Sequence, residues 1–218
     1  MMKSKLISGF RLRLQVLFYN RLKHITMSCG EGCRISGLHL SSCGKNNKIV
    51  LGDNVTLDNV TVSIFGSNNR IVIRGNNHVA GIRLAMEDDG NTIEIGKHNF
   101  IGSGSLLAAL EGTRIEIGDD CMIAGHCEIR TSDSHSLLDA GGKRINCARD
   151  IILGGHIWVG VETLILKGAM IPGDCVVAAR SVVCAMKDAV SGGSLLGGTP
   201  ARVLRENISW NHKRIQQQ

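Results

Sequence analysis

Between residues 130 and 160 the chain concentrates side chains that can move a proton. The run Arg130-Thr131-Ser132-Asp133-Ser134-His135 is followed by Asp139, and then by His156-Ile157-Trp158-Val159-Gly160. An imidazole titrates near neutrality, so a histidine within hydrogen-bond reach of an alcohol can remove the proton that makes a hydroxyl a poor nucleophile. His135 suits that work. Asp133 or Asp139 is near enough in the chain to hold its ring in one tautomer and stabilise its charged form; the plainer role for either aspartate is to cap a turn. His156 is the rival base, though a turn or supporting role fits it better, and His126 falls on a regular face and reads as structural. Trp158 immediately precedes an inward Val159, so strand alternation points its indole outward. Its plain reading is a packing residue under the loop or at a subunit contact.

The elements that must position these groups come from an internal repeat. A six-residue phrase recurs every 22 residues, as Asn47-Lys48-Ile49-Val50-Leu51-Gly52, Asn69-Arg70-Ile71-Val72-Ile73-Arg74, Asn91-Thr92-Ile93-Glu94-Ile95-Gly96 and Thr113-Arg114-Ile115-Glu116-Ile117-Gly118. Another aliphatic residue follows six positions after each second aliphatic, at Leu57, Val79, Ile101 and Ile123. Later the spacing becomes a strict hexad through Leu153, Val159, Ile165, Ile171, Val177 and Val183. One inward aliphatic every six residues, with turn-forming residues between, predicts short strands joined at corners. Three such faces close a coil of 18 residues, and 22 is one coil plus four residues at a corner. Stacked coils then pair through parallel ladders roughly 4.8 Å apart, giving a triangular prism with a thin aliphatic core. A leucine-rich repeat has a similar period but does not predict the pure hexad. Residues 131–150 break the rhythm as a polar, aperiodic excursion, and excursions of that length are usually functional. The tail 205–218 is polar and reads as either helical or frayed.

Composition agrees. The chain has 218 residues, 27 glycines, 2 prolines and only seven aromatics, with 43% hydrophobic residues. That rules out disorder, collagen and a small disulfide scaffold, and favours one domain filled by aliphatic side chains. The net charge of +6 is local. Lys3, Lys5, Arg11, Arg13, Arg21 and Lys23 lie in the first 24 residues with no acid, leaving 19 basic and 19 acidic groups elsewhere. A neutral body is not a nucleic-acid binder. The eight cysteines include no CxxC pair, and Cys33 and Cys121 share a repeat column with Val55, so they read as small, reduced wall residues. No apolar run of about 18 residues is present, and arginines interrupt any signal-peptide core, so a cytoplasmic chain is expected.

The run ending at His135, the strand Gly155-His156-Ile157-Trp158-Val159-Gly160 and the segment Gly198-Thr199-Pro200-Ala201-Arg202-Val203 resemble the hexapeptide-repeat acetyltransferases, above all the bacterial O-acetyltransferases of capsule, lipopolysaccharide and exopolysaccharide. The likeness runs along nearly the whole chain and is specific from about residue 115 to 205. It implies an all-β fold, a left-handed parallel β-helix assembled as a homotrimer, with active sites in clefts between subunits reached by each excursion loop. It implies acetyl-CoA as cosubstrate, a carbohydrate acceptor, no metal, and a direct transfer in which His135 is the general base. In the resembling family Trp158 borders the acetyl-CoA cleft, where its indole N–H can donate to the thioester sulfur. Gly160, Ala178 and Ala179 would line the pantetheine, largely through backbone amides, and Arg202 would approach the nucleotide phosphates. Lys187 is a looser candidate, because the family's Thr-Lys pair is here Cys184-Ala185 with the lysine displaced by two. An asparagine used by the maltose-type relatives has no counterpart in Gly102-Ser103-Gly104-Ser105. Solenoids of this type include three-histidine zinc enzymes, but His126, His135 and His156 do not supply the close pair such a site needs.

The chain therefore divides into a basic amphipathic segment (1–24), a β-helix acyltransferase domain (25–204) with its excursion (131–150), and a tail (205–218). In the first segment Ile7, Phe10, Leu14, Leu17 and Phe18 share one helical face. That helix caps the prism, binds an anionic inner leaflet, or does both. The expected activity is O-acetylation of a bacterial surface polysaccharide or its sugar precursor. The alternatives are acetylation of an antibiotic or simple sugar, N-acetylation of a sugar amine, and a non-catalytic solenoid scaffold.

Overall fold

A computed structural model describes residues 25–186 and 188–216. The basic segment 1–24 and Lys187 lie outside the described residues. The rest is all β: 23 short strands wind into a parallel solenoid of about eight turns, as the repeat predicts, in the left-handed β-helix fold that the resemblance implies. Three sheets of seven, nine and seven strands form its faces. The first begins at Ile25–Cys29, the second at Arg34–Ser36 and the third at His39–Cys43.

Strand register follows the repeat. Ile49, Ile71, Ile93 and Ile115 stack in one column of the first sheet, each 22 residues after the last. Across the excursion Ile115 pairs with Ile151, and beyond it the step falls to 18, with Trp158 opposite Val176 and Leu164 opposite Val182. In a 22-residue coil the inward positions run Ile73, Val79, Ile82, Leu84, Met86 and Ile93, so the longest interval, Met86 to Ile93, lies at the corner from the third sheet back to the first. The excursion leaves from that same corner, between Glu128–Arg130 and Ile151–Leu153.

The extra corner residues carry a buried asparagine ladder. Asn47 Oδ1 accepts from the Asn69 N–H at 3.0 Å, Asn69 Oδ1 from the Asn91 N–H at 2.8 Å, and Asn91 Oδ1 from the Thr113 N–H at 3.1 Å. All three asparagines are buried, so their amides satisfy backbone groups that water cannot reach. The core is mainly aliphatic, with Met27, Met86 and four cysteines, and the described phenylalanines and Trp158 sit on the surface instead. Cys33, Cys121, Cys127 and Cys175 are buried wall residues. Loss of water pushes the Cys121 thiol up to about 11, which keeps it protonated and inert. Cys43, Cys147 and Cys184 differ, being exposed.

The tail is neither helical nor frayed at its start. Leu195–Gly198 extends the second sheet and pairs antiparallel with Ala201–Arg205, and Trp210 then folds back against the solenoid. Among the described residues no helix is long and apolar enough to cross a membrane.

Candidate active site

The excursion closes at its neck and is ordered by its own hydrogen bonds. Thr131, fully buried, donates its N–H to Ala108 O at 3.1 Å and its carbonyl accepts from the Arg149 N–H at 3.0 Å. Thr131 Oγ1 also receives the Leu110 N–H at 3.0 Å. The aperiodic sequence folds as a small hairpin. The Ile145 N–H donates to Leu137 O, and the Asp139 N–H to Lys143 O, each at 2.9 Å. Asp139 Oδ1 caps the turn by accepting the Gly141 and Lys143 N–H groups, so Asp139 is occupied away from His135.

Two ion pairs fasten this hairpin to the coils on either side. Arg144 makes a two-pronged contact with Glu111 of the preceding coil, at 2.5 and 2.9 Å, and Ser132 Oγ donates to the same carboxylate. The Arg144 guanidinium and the Ser132 hydroxyl hold the Glu111 carboxyl down at about 2. Lys167 of the following coil pairs with Asp133, and Asn146 Nδ2 donates to the same carboxylate at 2.7 Å. Lys167 first, then Asn146, keep the Asp133 carboxyl below its usual range. The structure thus turns Asp133 toward Lys167 and Asn146, and no hydrogen bond joins it to the His135 ring. Sequence adjacency alone had paired them. His135 itself is exposed on the loop, and its carbonyl accepts from Asn146 Nδ2 at 2.8 Å. An open cleft of about 520 Å³ is lined by Asp133, Ile145, Asn146, Cys147, Arg149 and Lys167, without His135.

Trp158 lies on the outer face of the second sheet, between Met122 and Val176, with its ring outward and 39% of the residue exposed. Its neighbour from the tail is Trp210, with ring centroids 6.1 Å apart. Trp210 stacks on His156 at 4.5 Å and 11° and donates its indole N–H to His156 O at 2.9 Å. His156 occupies a positive-φ corner, and its Nδ1 lies 2.9 Å from Asp174 Oδ1. It anchors the tail beside Trp158, a supporting role. His126 stands at another positive-φ corner rather than on a regular face.

Gly160 and Ala178 stack in successive coils at the next corner. A Cβ at Gly160 would sit 2.5 Å from Ala179 N, so only glycine lets the coils close there. The Gly160 and Ala178 N–H groups are already spent on Val177 O and Leu196 O, each at 2.8 Å. They offer a ligand a smooth wall rather than hydrogen bonds, while Ala179 is exposed beside them. Arg202 is exposed on the terminal strand of the same sheet, opposite Gly197. The second sheet and its edge therefore bring Trp158, Gly160, Ala178, Ala179 and Arg202 onto one side.

His135 is not on that side. In a three-faced prism, the edge between the third and first sheets lies opposite the second face, so one protomer holds its histidine and its Trp158 apart. The residues that sequence reasoning missed are Glu111, Arg144, Asn146, Lys167 and Trp210. Trp210 alone left a signal, as the second of only two tryptophans. Among the described residues no group of three or more His, Cys, Asp or Glu side chains is arranged to hold a metal.

Comparison with known proteins places this architecture. No family model matches the chain. Over 92 residues it is 37% identical to a polysialic acid O-acetyltransferase of Escherichia coli O1:K1 / APEC, covering 42% of this chain and 29% of that protein. Over 95 residues it is 32% identical to the polysialic acid O-acetyltransferase of Neisseria meningitidis, covering 43% of each. The matched stretch is thus less than half the length of either curated relative. Among solved structures, the polySia-specific acetyltransferase NeuO superposes with a TM-score of 0.77 at 30% identity, over 88% of this chain and 80% of that one. The polysialic acid O-acetyltransferase OatWY superposes with a TM-score of 0.60 at 24% identity, over 88% and 94%, a likeness of fold. On the strength of a relative 30% identical across four fifths of its chain, this protein belongs to the hexapeptide-repeat acetyltransferase family, in the group that holds the polysialic acid O-acetyltransferases.

Proposed function

We propose that this chain transfers acetyl from acetyl-CoA to a hydroxyl of an acidic bacterial capsular polysaccharide, with polysialic acid the first acceptor to test, or to its sugar precursor. The observation that carries the reading is His135, exposed on a hairpin pinned at both sides, in a chain of this family. His135 would take the proton of the acceptor hydroxyl as the oxygen attacks the thioester carbonyl. The tetrahedral intermediate would then collapse, and the imidazolium would return its proton to the departing thiolate. Trp158 would donate its indole N–H to the sulfur, and Gly160, Ala178 and Ala179 would form the flat wall along the pantetheine. Arg202 would meet the phosphates; Lys187, the looser phosphate candidate, lies outside the described residues. Direct transfer suits the cysteines, since four thiols are buried in the wall and, among the described residues, no hydrogen bond pairs the exposed Cys147 of the cleft with a histidine.

Because His135 and Trp158 occupy opposite sides of the prism, the complete site would form between two copies, His135 from one and Trp158 from the next. A homotrimer supplies three such clefts. Leu137, Leu138 and Ile145, each about 60% exposed on the hairpin, would be covered by the neighbour. The segment 1–24 would cap the solenoid and hold the cytoplasmic enzyme against the anionic inner leaflet.

The test measures thiol release from acetyl-CoA with polysialic acid and with neutral glycans. His135→Ala should lower the acceptor-dependent rate by ~10²–10⁴, and Trp158→Ala should slow transfer more mildly. A His135→Ala enzyme working at the parental rate would refute the assignment.

A further inference from the structure

We infer that Asn146, seated by Lys167, is a positioning residue for His135, fixing the imidazole through the backbone on both sides of it; this rests on His135 being the base. Among the described residues no hydrogen bond reaches the His135 ring, so the ring's place is inherited from its main chain. That main chain is held at three points. The Ser134 N–H donates to Ser132 Oγ at 2.9 Å, the His135 carbonyl accepts from Asn146 Nδ2 at 2.8 Å, and the Leu137 N–H donates to Asn146 Oδ1 at 2.7 Å.

One side chain thus grips the carbonyl of the base and the amide two residues further on. A primary amide can do this because it carries an acceptor and a double donor on one carbon; a carboxylate only accepts. Asn146 is 9% exposed, so its bonds are shielded from competing water. Its second donor hydrogen goes to Asp133 Oδ2 at 2.7 Å. Lys167 completes the clamp by pairing with Asp133 and donating to the Asn146 carbonyl at 2.8 Å. Asp133 therefore belongs to the clamp and acts on His135 through Asn146 and Lys167.

The consequence is a separation of kinetic effects. A base displaced by about 1 Å can cost ~10² in rate, while the groups assigned to acetyl-CoA sit on the other side of the prism. Asn146→Ala should lower kcat by ~10–10² and Lys167→Met by ~10, with the KM for acetyl-CoA near the parental value in both and the melting temperature near it in Lys167→Met. Lys167→Arg, which keeps the cation and its donors, should recover most of the loss.

The measurement is kcat and KM in the full-length protein with polysialic acid as acceptor, alongside thermal melts, for these variants and His135→Ala. Should Asn146→Ala not fold, the Lys167 pair carries the test. Parental kcat in both Asn146→Ala and Lys167→Met while His135→Ala is inactive would overturn the clamp and leave the base standing. A KM that rises in step with the loss, or Lys167→Arg as slow as Lys167→Met, would also overturn it. A parental rate in His135→Ala would instead remove the base, and the clamp with it.

Discussion

Glu111 shows how one carboxylate can tie loop stability to pH. Arg144 and Ser132 hold its folded value at about 2, against an ordinary 4.5. A carboxyl depressed by folding stabilises the folded state above its unfolded value, and that contribution drains away as pH falls toward the folded one. Thermal melts of the parent should therefore lose more stability than Glu111→Gln between about pH 4.5 and 2, the two curves converging at the acid end. Parallel curves would show that the pair does not report on folding. At this scale the sequence was only partly legible. Trp158 stood out because the chain has only two tryptophans, and His135 because of the motif it ends. The clamp did not, since Glu111, Asn146 and Lys167 lie 21 to 34 residues from the Ser132 and Asp133 atoms they touch or across the hairpin from them, and only coil stacking unites them. Asp133 was assigned to the ring by nearness in the chain, whereas a lysine one coil later competes for it more strongly.

At the scale of the coil, two kinds of glue act together. The aliphatic columns supply burial, and Ile115, fully enclosed between Ile93 and Ile151, is representative. Ile115→Ala should cost ~2–5 kcal/mol through lost transfer energy and the cavity left behind. The asparagine ladder supplies hydrogen bonds at the corner where the period exceeds 18. Asn69→Ala would strand the Asn91 N–H, now bonded at 2.8 Å, while the Asp88 carbonyl keeps the Asn91 Nδ2 donor at 3.1 Å, and should cost about 1–3 kcal/mol. Denaturant midpoints measure both, and an Asn69→Ala change below about 0.5 kcal/mol would mean that water satisfies the corner instead. The period and the inward hexad were readable because each inward residue must land on the same face at every turn. The ladder was present as recurrent asparagines at 47, 69 and 91, but a polar residue in sequence does not announce that it is buried.

At the scale of the whole molecule, the opposition of His135 and Trp158 across the prism yields a complementation test. His135→Ala subunits co-expressed with Trp158→Ala subunits should form intact sites at about a quarter of the interfaces by random assortment, seen as recovery of a population turning over at the parental rate that neither variant shows alone. No recovery would place both residues in one protomer's site. Deleting residues 1–24 should weaken binding to anionic vesicles while leaving the solenoid folded, and unchanged binding would reduce that segment to a cap. The chain's two tryptophans offer a last consequence. Trp158 and Trp210 stand 6.1 Å apart on the outer face, and among the described residues the core holds no aromatic side chain. Indole emission from this protein is therefore a reporter of the surface beside Gly160. If acetyl-CoA docks there as proposed, its arrival should quench or shift that emission at once, whereas loosening of the core would leave the emission unchanged until the tail came away.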